Sequence, residues 1–161
     1  MARPSCQCAA ALVGALTIGT LDGANIEIRD RVGAENIFIF GLTASEIEQR
    51  RQDHFTGQDA ATASPRLAEA ISCIRSGAFS PDDTDRFAPI VESLLGFDHF
   101  MVAADFDAYW TAQRAVDALY GRPGWWRAAI LNTARMGWFS SDRAVREYAD
   151  KVWDLKIDVP T

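Results

Sequence analysis

Ile37-Phe-Ile-Phe40 is a continuous apolar run closed by Gly41, and a second β-prone run, Ala15 to Thr20, stands upstream between Gly14 and Gly23. A run with no polar alternation has no side to give to water, so Ile37 to Phe40 reads as a strand covered on both faces. Between the two runs, Leu21-Asp-Gly23 supplies turn chemistry. Ala24 to Arg31 then has the length of a short helix that stops at Gly33. Strand, helix and strand in that order restrict this part of the chain to an α/β unit.

From Leu42 onward the chain reads as helical. Thr43 and Glu46 have the spacing of a capping box, with Leu42 and Ile47 at the staple positions. A polar linker is expected from about Gln52 to Ala63. Ser64-Pro65 then opens a helix with an apolar stripe of Leu67, Ile71 and Ile74, ended by Gly77. Phe87, Ile90, Val91, Leu94 and Leu95 mark the next, beginning near Pro89 and ending at Gly96. Asp105 is expected to cap a helix reaching Tyr120, with Phe106, Tyr109, Trp110, Val116 and Leu119 buried. Pro123 starts another that turns Trp126, Ile130 and Ala134 inward. Ser141 caps the last, in which Val145, Tyr148, Val152 and Leu155 share a face. The expected class is α/β and mostly helical, a few short strands followed by a helical bundle. The sequence contains no internal repeat and no low-complexity tract.

Composition removes several functions. A net charge of -6 opposes partners that bind by displacing counterions, namely nucleic acid and anionic membrane surfaces. No run approaches the roughly 18 apolar residues that span a bilayer. Cys8 to Leu16 is apolar and follows Arg3, as in a signal peptide, but runs into Leu16-Thr-Ile18 without a cleavage-site break. The three cysteines, Cys6, Cys8 and Cys73, have no framework spacing, which fits a reducing compartment and a cytoplasmic location. Cys6-Gln-Cys8 lacks the second pair or histidine that a metal site needs, and reads as two thiols in a loose tail.

Candidate chemistry is sparse. Gly14, Gly19 and Gly23 do not have the G-x-G-x-x-G spacing, and no G-K-[ST] follows; glycines at strand ends and in a turn explain them. Asp22 beside Gly23 is a turn residue rather than a general base. His54 and His99 have no nucleophile placed for a triad and read as surface histidines. Asp82-Asp83-Thr84-Asp85 precedes a helix, where carboxylates suit the positive end of the dipole; a calcium loop needs wider, alternating ligands. Trp110, Trp125 and Trp126 could stack on sugar rings, but aromatics at helical spacing are more often core. Residue chemistry alone identifies no catalytic, cofactor-binding or metal residue.

A resemblance goes further. Gly14-ALTIGTLDGANIEI-Arg29, Val32-GAENIFIFG-Leu42, Ser76-GAFS-Pro81, Val102-AADFDAY-Trp110 and Ala129-ILNTARMGWFSSDRAVREYADKVW-Trp153 resemble, in order and spacing, the C-terminal end of glycogen (α-glucan) phosphorylases. The resemblance implies the C-terminal segment of a two-domain, glycosyltransferase-B-like fold with its active site between the domains. Residues 14–161 would be the C-terminal part of the cofactor-binding domain, and residues 1–13 an atypical N-terminal tail. The family cleaves a terminal α-1,4-linked glucose with phosphate to give glucose 1-phosphate. It holds pyridoxal phosphate as a Schiff base whose phosphate group donates and accepts protons.

In that family Glu-Ala-Ser-Gly-Thr-Gly-Asn-Met-Lys lies just ahead of the segment matched from Ala10 onward. The alignment puts the Schiff-base lysine on Ala9 and Gly-Thr-Gly on Pro4-Ser-Cys6, so neither is present. The lysines of this chain are Lys151 and Lys156. The resemblance therefore implies a chain that does not bind pyridoxal phosphate and is inactive alone, although the parent acts on α-glucan and phosphate. An alternative is a non-catalytic module that docks on a phosphorylase subunit or complementary fragment. A third is an unrelated small sugar-binding protein using the tryptophans. Strands taken from a larger sheet would expose edges and favour self-association.

Overall fold

A computed structural model describes residues 6–155. The elements in order are α1 (Cys6–Leu12), β1 (Ile18–Thr20), α2 (Gly23–Val32), a 3-10 turn at Ala34–Asn36, β2 (Phe38–Phe40), α3 (Ala44–Gln52), α4 (Gly57–Ala63), α5 (Pro65–Arg75), α6 (Ala88–Gly96), α7 (Phe106–Leu119), α8 (Pro123–Arg135), a 3-10 turn at Met136–Phe139 and α9 (Ser141–Lys151). The strands pair in a two-stranded parallel sheet with α2 as the crossover, and the Phe38 N–H donates to the Thr17 carbonyl at 2.9 Å. A mostly helical α/β segment is the class that the sequence implied.

The chain divides into two compact units, the first holding residues up to Ile18, Gly23–Phe38 and Leu119 onward, the second holding Gly19–Asp22 and Ile39–Ala118. In the first, α8 packs on α1, α2 and both 3-10 turns, burying Cys8, Ala11, Ile28, Val32, Ala128, Ala129 and Met136. Three α8 side chains add long-range hydrogen bonds. Asn132 Nδ2 donates to the Asn36 carbonyl at 2.8 Å, Thr133 Oγ1 to the Ala11 carbonyl at 2.8 Å and Arg135 to the Val32 carbonyl at 2.6 Å. Gly33 ends α2 at φ 90°, a conformation that costs a residue with a Cβ.

The second unit closes around Ala60, Ala61, Leu67, Ile71, Val91 and Ala103, with Phe55, Ile74, Leu95 and Phe106 packed against them. Gly57 lets α4 approach α6 so closely that a Cβ there would strike the Leu94 carbonyl oxygen. Local signals behave as expected: Thr43 and Glu46 form a reciprocal capping box, Ser64 Oγ accepts from the Leu67 N–H at 3.2 Å, and α6 carries Pro89 in its first turn.

Several expectations are corrected. Cys6–Leu12 is a helix with Cys8 and Ala11 buried, so this part of residues 1–13 is not a loose tail; residues 1–5 lie outside the described residues. Ile37 is buried, but Phe38–Phe40 are only half-buried, because among the described residues the sheet has two strands and no third to flank β2. The expected linker contains α4, started by a second capping box in which Thr56 pairs with Asp59. On α7 no residue is fully buried: Phe106, Val116 and Leu119 are half-buried, while Tyr109 and Trp110 are exposed. Asp105 stands just ahead of α7, where its backbone carbonyl accepts from the Tyr109 N–H, while its Oδ1 accepts from the Leu42 N–H at 2.8 Å.

The largest corrections fall on α8 and α9. Trp126 and Ile130 are 58% and 68% exposed and Ala134 is exposed, whereas Ala128, Ala129 and Asn132 face inward. Small residues allow α8 to sit close to its neighbours, and that gain outweighs burying the bulkier stripe. On α9, Val145 and Tyr148 are exposed, as are Val152 and Leu155 beyond it, and Ala149 alone is buried. Ser140, not Ser141, holds its N-cap position, without a side-chain hydrogen bond.

Candidate functional site

The first unit contains a cleft of about 630 Å³ with α1 and the start of α2 on one side and α9 on the other. Cys8, Ala24 and Glu27 line the first side, and Tyr148, Lys151 and Val152 the second. Arg143, Glu147 and Lys151 stand four residues apart on α9, the spacing that brings side chains together on one helix face. Glu147 pairs with both cations, at 2.5 Å with the Lys151 ammonium. Hydrogen bonds from Lys151 and then Arg143 hold the Glu147 carboxyl below its usual range, so it stays ionised. On its α9 side the cleft thus offers two cations already paired with one ionised carboxylate.

Ala9 follows Cys8 on α1 and is exposed, presenting a methyl group where the family resemblance puts an amine. Lys156 lies outside the described residues. The remaining candidates do not gather at the cleft. Gly14, at φ 86°, closes the turn after α1, and Thr20 Oγ1 donates to Asp22 at 3.2 Å in the turn expected there. His54 ends α3 and is exposed. His99 lies between Phe97 and Phe100, with ring centroids 5.7 and 4.7 Å away, and its carbonyl accepts from Arg51. Asp82, Asp83 and Asp85 are exposed, with Arg86 3.8 Å from Asp83. Trp110, in the second unit, is flanked by the Arg66 and Arg114 guanidiniums, each 4.7 Å from its ring. Trp125 meets Tyr120 edge-on at 5.0 Å in the first unit, where Trp126 is exposed.

One perturbed carboxyl has no signal in the sequence. Asp105 is buried in the second unit, and desolvation raises its pKa against the opposing pull of the Leu42 N–H. Its role here is structural: its carboxyl packs against Gly41, where a Cβ would collide with it. The α1 side of the cleft is also absent from the sequence-based expectation, which makes residues 1–13 a tail. The run Ala9-Ala-Ala11 is the available signal, since alanine is the strongest helix former. Among the described residues, no group of three His, Cys, Asp or Glu is placed to hold a metal ion. Among them also, no helix is long and apolar enough to cross a membrane.

The family model described as carbohydrate phosphorylase matches residues 5–155, and so includes α1. Glycogen phosphorylase from Synechocystis is 51% identical over 144 residues, covering 89% of this chain and 17% of that protein. The brain form of glycogen phosphorylase from Homo sapiens is 44% identical over 155 residues, covering 92% of this chain and 18% of that protein. Glycogen phosphorylase from Haemophilus influenzae is 42% identical over 147 residues, with 91% and 18% covered. The chain thus spans less than a fifth of the length of these relatives. With the family model and the relatives both covering most of its residues, the chain belongs to the carbohydrate phosphorylase family.

Proposed function

We propose that this chain is a C-terminal segment of the cofactor-binding domain of an α-glucan phosphorylase, and that by itself it catalyses nothing. In the whole enzyme its work is structural, completing a sheet and packing helices around it, while the parent reaction is phosphorolysis of an α-1,4-glucan to glucose 1-phosphate. Ala9 carries the reading. A methyl group forms no imine, so the residues present do not fit a Schiff-base-bound pyridoxal phosphate. Lys151 is no substitute, because it lies on α9 and not on α1 with Ala9, and its ammonium is held by Glu147 one turn away. Catalysis further requires two phosphate groups and the glucan end to be fixed together in a water-poor cleft, whereas the two cations lining the 630 Å³ cleft, Arg143 and Lys151, are both paired with Glu147. The odd cysteine count supports a cytoplasmic location.

The test is chemical. The chain is incubated with pyridoxal phosphate, reduced with borohydride and mapped by peptide. No unique pyridoxyl-lysine is expected; stoichiometric labelling of Lys151 or Lys156 that phosphate protects against would overturn the reading. Glucose 1-phosphate should not form from glycogen and phosphate above the blank, with Ala9→Lys as inactive as the parent chain. Rescue by that one change would show that the other ligands are present.

A second reading, a non-catalytic module docking on a phosphorylase subunit or complementary fragment, draws support from the exposed apolar residues of α8 and α9. Ultracentrifugation and dye binding separate the two. Self-association or dye binding is expected for a segment removed from its parent. A monodisperse, cooperatively melting monomer that binds no dye would favour the module.

A further inference from the structure

α9 is attached to the first unit differently from every other helix in it. It buries a single residue, Ala149, and its principal packing neighbour is the short 3-10 turn Met136–Phe139. Its larger apolar side chains, Val145 and Tyr148, are exposed, and no side chain caps its N-terminus. The attachment is polar and concentrated at one residue. Arg143 Nε donates to the Trp138 carbonyl, its guanidinium lies over the Trp138 ring 4.0 Å from the centroid, and it pairs with Glu147. Arg31 of α2 lies over the same ring at 3.3 Å, so Trp138 is held between the body of the unit and α9. By contrast, α8 buries Ala128, Ala129 and Asn132 and reaches α1 and α2 through both packing and hydrogen bonds, from Thr133 to the Ala11 carbonyl and from Arg135 to the Val32 carbonyl.

We propose that α9 is a releasable strap, pinned by Arg143 on Trp138, whose opening uncovers the α1 and α2 wall of the cleft at Cys8. Segments with few buried apolar contacts open locally at a lower free energy than the core, so α9 should detach while α8 stays in place. Cation–π and backbone contacts of one arginine then control a whole helix, because no apolar cluster shares the task. Cys8 reports the event: it is 5% exposed and lines the cleft, whose opposite side is α9. Cys73, exposed in the second unit, is an internal reference. The strap does not depend on the phosphorylase reading.

The full chain carrying Cys6→Ser is alkylated, and the extent at Cys8 and Cys73 is followed by peptide mass spectrometry. Arg143→Ala should accelerate Cys8 about tenfold or more and leave Cys73 unchanged, the size expected when contacts worth about 1.4 kcal/mol are lost from a local opening equilibrium. Arg143→Lys, which keeps the charge without the planar stack, should fall between. Equal Cys8 rates in all three chains would overturn the strap. Native-state hydrogen exchange on the unmutated chain guards against a variant that fails to fold. There α9 amides should exchange faster than α8 amides, through an opening that denaturant barely changes. Exchange of α8 and α9 together, in one denaturant-dependent step, would show that α9 belongs to the core and would defeat the proposal.

Discussion

The second unit draws side chains from successive helices onto one apolar cluster: Ala60 and Ala61 from α4, Leu67 and Ile71 from α5, and Val91 from α6. The first unit also buries apolar groups, but α8 is fixed there by Asn132, Thr133 and Arg135, each donating to a backbone carbonyl about a hundred residues away or more. An apolar cluster tolerates small sliding, since burial is non-directional. A hydrogen bond to a buried carbonyl does not, because a misplaced donor leaves that carbonyl unsatisfied. The first unit therefore depends on geometry and the second on volume.

The largest effect should come from removing volume in the second unit. Ile71→Ala is expected to cost about 2–5 kcal/mol by denaturant titration, because the cavity it leaves is lined by helices that cannot fully close. A cost below that of a surface substitution would mean that the cluster does not hold the unit. Asn132→Ala tests the first unit. It removes the donor to the Asn36 carbonyl and should cost about 1–3 kcal/mol, seen mainly as lost amide protection in α2 and α8. If Asn132→Ala costs nothing while Ala129→Gly is severe, packing and not hydrogen bonding orders the first unit.

Smaller effects sharpen the comparison in the local structure. Thr43→Ala and Thr56→Ala should each cost about 0.5–2 kcal/mol in thermal melts, and the second should also loosen α4. Hydrogen bonds from Thr43 and Thr56 hold the Glu46 and Asp59 carboxyls below the ordinary range. Their contribution is present above the unfolded-state pKa and is lost as pH falls through the lower folded value. Asp105 runs the other way. Its raised pKa favours the protonated form in the fold, so its contribution is present at low pH and lost as pH rises through the folded value. Asp105→Asn should therefore flatten that loss on the rising side, and a pH profile unchanged by it would remove Asp105 as the cause. Smallest of all, breaking the exposed Arg66–Asp107 pair by Asp107→Asn should cost about 0.2–1 kcal/mol and fade with salt.

Thr43 with Glu46, Ser64 with Pro65, and the stop at Gly33 were legible in the sequence because each is an arrangement of residues within four positions, complete before the chain meets itself. The motif from Gly14 to Arg29 carried the family for the same reason: it is contiguous. The absent lysine at Ala9 was likewise a matter of counting along the chain. What the first unit does with α1, α8 and α9 was not legible. The hydrophobic period of α8 pointed to Trp126 and Ile130, yet close approach of helices favoured its small residues, Ala128 and Ala129, on the inner face. The amphipathic stripe of α9 pointed inward too, but burial needs a surface to bury against, and α9 packs chiefly on the short turn that carries Trp138. Local bonds are set by neighbours in sequence; the choice of face is set by what stands opposite, and that is decided only when the chain has folded.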